Sequence, residues 1–74
     1  MPKLPTISPE KLARVLERSG FLLDRIKGSH HVYHNPQTQK TVVIPFHGKD
    51  LPKGILNEIL KQAGITREDL AELL

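Results

Sequence analysis

A set of apolar residues in the C-terminal half of the chain recurs with the spacing of an α-helix and gives the strongest periodic pattern in the sequence. Residues at this spacing share one side of a helix, which must be covered by other parts of the chain. Gly64 is typical of a residue that ends a helix, and Pro52 suits the first turn of one. We therefore expect a helix that packs on a sheet. Its apolar residues are Ile55, Leu56, Ile59, Leu60 and Ala63.

A second amphipathic helix is predicted near the N terminus. Ser8 is a favourable N-cap, Pro9 suits the first helical position, and Gly20 supplies the C-terminal stop. Residues 1–7 contain two prolines and no periodicity, and we interpret them as an N-terminal arm. The predicted apolar face of this helix comprises Leu12, Val15 and Leu16, and the opposite face comprises Lys11, Arg14, Glu17 and Arg18.

Three short segments between these helices favour β-strands, namely residues 21–27, 29–34 and 40–45. Residues 35–39 have the turn chemistry of a hairpin connection, so we expect an antiparallel meander. In the first strand, alternation places Phe21, Leu23 and Arg25 on one side. It places Leu22, Asp24 and Ile26 on the other, so the apolar residues do not choose one side.

The last residues, 66–74, predict a short terminal helix. Thr66 is a suitable N-cap, and Asp69 follows three positions later, which resembles a capping arrangement. Three leucines in this segment are expected to dock the helix on the rest of the domain. They are Leu70, Leu73 and Leu74.

The order of elements predicts an α+β domain of the α-β-β-β-α type that spans residues 1–74. We expect a three-stranded antiparallel sheet with both long helices on one face, which leaves the other face open to water or to a ligand. A chain of 74 residues is near the size at which a single core is only just sufficient. There is no cysteine, so neither a disulfide framework nor a thiolate zinc site can supplement that core.

The charge and hydropathy of the chain indicate a soluble, cytoplasmic protein with some preference for anions. The net charge of +3 favours an anionic partner such as a nucleic acid but does not establish one. The longest apolar runs have three residues, far fewer than a membrane span requires. The first residues also lack the apolar core of a signal peptide.

The most informative stretch is Gly28-Ser29-His30-His31-Val32-Tyr33. The glycine interrupts the backbone, and two adjacent imidazoles follow at the start of a predicted strand. Histidine is the side chain that acts most readily as general acid or general base near neutral pH. A histidine in a strand is more often a surface or hydrogen-bonded structural residue, so the position alone does not establish catalysis.

The sequence resembles the HicA toxin family, also called YcfA-like proteins, of HicA–HicB toxin–antitoxin systems. The resemblance runs from the first helix to Gly64 and depends on several segments in a fixed order. These are Leu16 through Gly20-Phe21, Lys27-Gly28-Ser29-His30-His31-Val32-Tyr33, Val42-Val43-Ile44-Pro45-Phe46-His47, Leu51-Pro52-Lys53-Gly54 and Ile59-Leu60-Lys61-Gln62-Ala63-Gly64-Ile65. It implies a double-stranded-RNA-binding-domain-like fold and endoribonuclease activity on messenger RNA. It also implies an essential histidine in the Gly-Ser-His region and inhibition by a HicB antitoxin in a hetero-oligomeric complex.

Two histidines compete for the implied catalytic role. The family pattern places the histidine at His30, with an aromatic residue at Tyr33, whereas some members carry it at the position of His31. In a strand, His30 and Val32 share one face, and His31 and Tyr33 share the other. If Tyr33 packs under the helices, His30 points to the open face, which favours His30. If Val32 is buried instead, or if Gly28 introduces a bulge, His31 takes the role.

The chemistry that we expect is metal-independent RNA cleavage with no cofactor. A neutral imidazole removes the proton of a ribose 2′-OH, and this oxygen attacks the adjacent phosphate. The developing negative charge needs nearby cations, for which Lys27 is the nearest candidate in sequence. Lys49 and Lys53 flank the start of the second long helix, whose free N–H groups can receive a phosphate. Ser29 completes the set of expected RNA-binding residues.

Other residues of the predicted site have more ordinary interpretations. Gly54 costs helix stability, which suggests a close approach to the backbone there, either by a ligand or by the sheet. His30 and His34 lie about 13 Å apart along a strand, too far to share a metal ion. We interpret His34 and His47 as surface residues or RNA contacts, although His47 falls in a segment that carries the resemblance.

Two other functions remain compatible with the sequence. The first is a non-catalytic RNA-binding module that recognises A-form shape and phosphates, which needs lysines but no imidazole. The second is a protein whose surface serves chiefly to bind a partner protein. Only the Gly-Ser-His stretch favours catalysis over the first of these.

Overall fold

The elements of the computed structural model follow the predicted α+β order. The structure describes residues 6–74. Three antiparallel strands form one sheet in the order β1-β2-β3, and three helices accompany it. The elements are α1 (Pro9–Arg18), β1 (Leu22–Lys27), β2 (His30–Asn35), β3 (Lys40–Pro45), α2 (Lys53–Ala63) and α3 (Arg67–Leu73).

Local signals set the ends of α1. The Ser8 side chain accepts a hydrogen bond from the Lys11 backbone N–H at 3.2 Å, and Pro9 is the first helical residue, as predicted. At the other end, Gly20 has a φ of +98°, which favours glycine. The Phe21 backbone N–H then donates to the Leu16 carbonyl at 2.9 Å. The chain is thereby turned from the helix directly into the sheet.

The predicted N-terminal arm ends in the core. Residues 1–5 of that arm lie outside the described residues. Ile7 is buried, and its carbonyl accepts a hydrogen bond from the Leu51 backbone N–H at 2.9 Å. The end of the predicted arm is therefore attached to the loop that precedes α2.

The core lies between the helices and one face of the sheet. The predicted apolar face of α1 is buried, α2 packs on β3, and Leu56 of α2 is fully buried. Ile55 was predicted on the same face, but this prediction is wrong, because its side chain is 44% exposed. The helix also begins at Lys53, so Pro52 occupies the N-cap position rather than the first turn. The buried residues of α2 are Leu56, Ile59, Leu60 and Ala63.

The terminal helix α3 forms with the predicted cap. The Thr66 hydroxyl accepts a hydrogen bond from the Asp69 N–H at 3.0 Å, and the Asp69 carboxylate accepts one from the Thr66 N–H at 3.4 Å. Leu70 is fully buried and Leu73 packs at the edge of the core. Leu74 was predicted to dock as well, but it is about half exposed because it follows the end of the helix.

Strand β1 departs most from the sequence prediction. It begins at Leu22, because Phe21 leaves the strand to enter the core. A bulge between Leu23 and Arg25 shifts the register, so that Leu23 pairs with Tyr33 but Arg25 pairs with Val32. Simple alternation predicted that Leu23 and Arg25 share one side, which is wrong, because the extra residue moves Arg25 to the opposite face. Leu23 and Ile26 now share the helix side.

The helices cover β3 more than β1, so the first strand stays exposed along its whole length. Leu23 and Ile26 are about half exposed although they lie on the helix side of the sheet. On the opposite face, Arg25 and Lys27 project beside β2. Arg25 and Lys27 share this face by alternation, and the bulge places Leu23 on the helix side instead of beside them.

A buried asparagine fixes the hairpin between β2 and β3. Strand β2 spans His30–Asn35 rather than residues 29–34, and Asn35 is its last residue. The Asn35 side-chain oxygen accepts hydrogen bonds from the Gln37 N–H at 2.9 Å and the Thr38 N–H at 3.3 Å. Its side-chain nitrogen donates to the Ser19 carbonyl at 3.4 Å. One side chain thus connects the hairpin turn to the C-terminal end of α1.

Tyr33 links pH to stability. Burial raises the pKa of the Tyr33 hydroxyl, and the nearby Glu17 carboxylate raises it further. A tyrosine ionises near pH 10 in an unfolded chain, so the folded state favours the neutral form. This contribution to stability is fully present below about pH 10 and is lost as pH rises through the folded pKa.

We expect the free energy of unfolding to fall between about pH 8 and about pH 11, and to fall less in Tyr33→Phe, which has no ionisable hydroxyl. Urea titrations of both proteins at the two pH values measure this difference. An equally steep loss of stability in Tyr33→Phe would show that the hydroxyl does not contribute.

Candidate active site on the open face of the sheet

A two-residue turn positions the paired histidines. Gly28 and Ser29 join β1 to β2, and Lys27 pairs with His30 across this turn. The φ of Gly28 is +56°, a conformation that tight hairpins often require and that glycine adopts without strain. The Ser29 carbonyl accepts a hydrogen bond from the Phe46 N–H at 2.7 Å, which attaches the turn to the end of β3.

His30 and His31 point to opposite faces of the sheet. Tyr33 is buried under the helices, so His31 lies on the helix side and His30 on the open side. The ring of His31 stacks on Phe46, with ring centroids 3.8 Å apart and an angle of 18° between the planes. His30 is exposed. The bulge lies in β1 and not at Gly28. The burial of Tyr33 is therefore the condition that holds, and it is the one under which the sequence favours His30.

Two depressions meet at His30. One lies on the sheet, has a volume of about 450 Å³ and includes Arg25 and Lys27. The other lies between β3 and α2, has a volume of about 480 Å³ and includes His47 and Lys49. Both volumes are within the range of small-ligand sites, about 300–1,000 Å³. The remaining lining residues are Val32 and Val43 in the first depression, and Pro45, Asp50, Leu51, Pro52 and Ile55 in the second.

A second exposed imidazole lies next to His30. The ring centroids of His30 and His47 are 6.0 Å apart, and the ring planes are nearly perpendicular at 88°. The sequence predicts that His47 is a surface residue or an RNA contact. The strand register brings it to His30, because His30 pairs with Pro45 and His47 follows two residues later. That register was not available from the sequence alone.

Positive charge predominates around His30. Arg25 and Lys27 lie on one side of it and Lys49 on the other. Asp24 forms an ion pair with Arg25 at 3.2 Å, but both side chains are about half exposed or more, so this pair is weak and does not hold Arg25 away from an anion. Asp50 is the carboxylate that lines the second depression. The sequence prediction does not include Arg25 in the site, although alternation places its side chain on the same face as that of Lys27.

Two of the expected RNA-binding residues lie at the margin of this site. Lys53 is the first residue of α2 and is exposed, but it lines neither depression. Ser29 is half-buried in the turn before His30. The structure thus brings Lys27 and Lys49 to His30 and places Ser29 and Lys53 farther from the open space.

Among residues 6–74, the space beside Gly54 is open. Apart from the adjoining residues and the backbone of its own helix, no atom of these residues would lie within 4 Å of an alanine Cβ at this position. Of the two alternatives that the sequence leaves open, close approach by the sheet is therefore wrong. The glycine lies in the first turn of α2, where backbone N–H groups have no partner within the helix. A ligand can therefore reach the backbone here.

His34 lies outside the candidate site. It occupies the opposite end of β2, and its Nδ1 atom is 2.9 Å from the Thr41 hydroxyl.

Among residues 6–74, no three His, Cys, Asp or Glu side chains converge as a metal site would require. Within the same part of the chain, no helix is both long and apolar enough to cross a membrane.

A comparison with protein families decides the class of this chain. The family model described as HicA toxin of bacterial toxin–antitoxin matches residues 9–65, which is more than half of the 74 residues. The chain belongs to the HicA toxin family. The matched region runs from the start of α1 to just beyond α2 and includes every residue of the candidate site. Comparison with curated proteins finds no match.

Membership of the HicA toxin family indicates the general role of the chain. It is a toxin of a bacterial toxin–antitoxin system, and the family implies an antitoxin as its partner. The candidate site of this HicA toxin is thus an exposed histidine beside a second histidine, between two depressions, with cations on both sides.

Proposed function

We propose that this HicA-family toxin is an endoribonuclease that cleaves messenger RNA with His30 as a catalytic residue and without a metal ion. The observation that carries the proposal is the position of His30. Its imidazole is exposed on the open face, at the junction of two depressions that contain Arg25, Lys27 and Lys49. Cleavage of messenger RNA would block translation, which accounts for toxicity.

The proposed reaction begins with proton transfer. Neutral His30 accepts the proton of a ribose 2′-OH, and the resulting oxygen attacks the adjacent phosphorus in line with the departing 5′-oxygen. The products are a 2′,3′-cyclic phosphate and a 5′-hydroxyl. General acid–base catalysis of this kind contributes about 10²–10⁴-fold to the rate, enough for a slow regulatory nuclease.

The cations beside His30 complete the chemistry. Negative charge on the phosphate oxygens grows in the transition state, and fixed positive groups stabilise it most when they are already in place. Lys27 pairs with His30 across the turn and is the closest cation in the strand register. Arg25 lines the same depression and can bind phosphate with two parallel hydrogen bonds. We assign these two residues to the scissile phosphate.

The same site extends along the RNA chain. Lys49 lies beyond His47, and Lys53 begins α2 close to the free backbone N–H groups of its first turn. We assign both lysines, together with Ser29, to phosphates that flank the cleaved bond. His31 is not assigned to catalysis, because its ring stacks on Phe46 on the helix side of the sheet.

Gly54→Ala tests whether a phosphate approaches the start of α2. The added methyl group meets no described atom, so we expect the free energy of unfolding to rise by about 0.5–1 kcal/mol. The methyl group would occupy the space above the backbone N–H groups, so we expect KM for RNA to rise several-fold while kcat stays unchanged.

Asn57→Ala is the matched control for this prediction, because Asn57 is exposed in the same helix and its replacement also improves helix propensity. Denaturant titration and steady-state cleavage measure both effects. An unchanged KM in Gly54→Ala would show that no phosphate lies on this backbone.

The partner that we propose is a HicB-like antitoxin that neutralises the toxin in a hetero-oligomeric complex in the cytoplasm. Expression of the chain from an inducible promoter is expected to arrest growth and to deplete full-length messenger RNA. Co-expression of a HicB-like protein from an adjacent reading frame should restore both. Growth arrest with intact messenger RNA would contradict the nuclease assignment.

A non-catalytic RNA-binding module is the second candidate, because three cations around one open face are sufficient to bind phosphates. The two candidates differ in a single observable. A binding module retains labelled RNA intact in a gel-shift experiment, whereas the nuclease shortens it over time.

A further inference from the structure

We propose that His47 is a second catalytic residue, the general acid that protonates the departing 5′-oxygen. This inference rests on the ribonuclease function proposed above and adds a second catalytic residue beside His30. It depends on the side-by-side position of two exposed imidazoles that the sequence separates by seventeen residues.

The distance between the two rings suits a shared phosphate. General acid and general base must each lie within about 2.6–3.2 Å of the oxygen that they serve. With ring centroids 6.0 Å apart, two such hydrogen bonds can converge on one phosphate group from both sides. The rings do not stack face to face, since their planes are nearly perpendicular. Each ring therefore keeps nitrogen atoms available to a substrate.

The two histidines differ in the depressions that they line. His30 adjoins both depressions, whereas His47 lines only the one between β3 and α2. The 2′-OH side of the scissile phosphate then lies toward the sheet, and the leaving nucleotide lies toward α2. Pro52 and Ile55 are exposed and provide apolar surface in that second depression, on which a base of the leaving nucleotide can pack.

The proton balance of the reaction closes with these two groups. His30 takes the proton of the 2′-OH as the bond from the 2′-oxygen to phosphorus forms. His47, in its protonated form, gives a proton to the 5′-oxygen as its bond to phosphorus breaks. No electron is transferred to or from the protein. Exchange of one proton with water at each ring restores the starting states.

This assignment predicts a bell-shaped dependence of the cleavage rate on pH, because one imidazole must be neutral and the other protonated. The charged groups that face the pair are Arg25 and Lys27 from β1, and Lys49 and Asp50 from the loop that carries His47. The part of α2 and its cap that lines the depression, Pro52 and Ile55, carries no charge.

The decisive experiment replaces the departing 5′-oxygen of a short RNA with sulfur. A thiolate leaves without protonation, so the modified RNA needs a general base but no general acid. On ordinary RNA, we expect His47→Ala to cleave about 10²–10⁴-fold more slowly than the parent. On the modified RNA, His47→Ala should cleave at nearly the parent rate, whereas His30→Ala should remain slow. The alkaline limb of the pH profile should also disappear for the parent on the modified RNA.

The controls separate the failure of this inference from the failure of the nuclease assignment. His34→Ala removes an imidazole at the opposite end of β2 and should match the parent on both substrates. His47→Asn provides a second variant with a polar side chain if His47→Ala unfolds. Equal slowing of both His47 variants on both RNAs would overturn the role of general acid while leaving the nuclease intact. A folded parent that cleaves neither RNA would overturn both proposals.

Discussion

His30→Ala is expected to reduce the rate of RNA cleavage by about 10²–10⁴-fold without loss of the fold. The side chain is exposed on the open face and contributes nothing to the buried core, so its removal should leave the free energy of unfolding within about 0.5 kcal/mol of the parent value. Single-turnover cleavage of a labelled RNA, with a denaturant titration of the same sample, measures both quantities.

His31→Ala is the informative comparison, because the two histidines are adjacent in sequence and lie on opposite faces. Loss of the His31 ring removes a stacked contact with Phe46, so we expect lower stability and largely retained cleavage. His34→Ala should retain both. If His31→Ala abolished cleavage and His30→Ala retained it, the catalytic assignment would be wrong.

Phe21→Ala should cost about 3–5 kcal/mol of unfolding free energy. The ring is among the largest fully buried side chains, and alanine would leave a cavity in the core. A chain of 74 residues has a total stability of about 4–11 kcal/mol, at about 0.05–0.15 kcal/mol per residue. This one substitution therefore removes a large part of the free energy of unfolding. The cleavage rate should fall by the fraction of the protein that is unfolded.

The neighbouring Leu22 supplies the matched control. It is also a large apolar residue, but its side chain is 63% exposed, so Leu22→Ala should change stability by less than about 0.5 kcal/mol. Urea titrations of the parent and both variants provide the comparison. Similar losses in the two variants would contradict the difference in burial between Phe21 and Leu22.

The helices could be predicted from the sequence because their ends depend on local chemistry. Ser8 and Thr66 each bond to a backbone N–H three residues later, and Gly64 adopts the left-handed conformation that ends α2, with a φ of +75°. Which face of α2 is buried depends on the angle at which it crosses the sheet. For this reason the periodicity included Ile55, which the structure leaves exposed.

The order of the strands in the sheet could be predicted from the sequence, but the register in which β1 pairs with β2 could not. Alternation in β2 predicts that His30 lies on the open face if Tyr33 packs under the helices, and Tyr33 is buried. The bulge in β1 is a property of how two strands pair, and no residue type at Asp24 requires it. The sequence prediction of the candidate site therefore lacked Arg25 and the pairing of His47 with His30. Arg25 shares the open face with Lys27 by alternation, and His47 reaches His30 because Pro45 pairs with His30.

The most direct test of metal-independent cleavage is incubation of the purified, folded chain with a labelled messenger RNA in excess EDTA, followed by analysis of the new ends. We predict that cleavage continues under chelation and yields 2′,3′-cyclic phosphates and 5′-hydroxyls. These ends form only when the ribose 2′-oxygen is the nucleophile. Intact RNA after incubation with the folded chain, or ends that carry a 3′-hydroxyl and a 5′-phosphate, would contradict the mechanism.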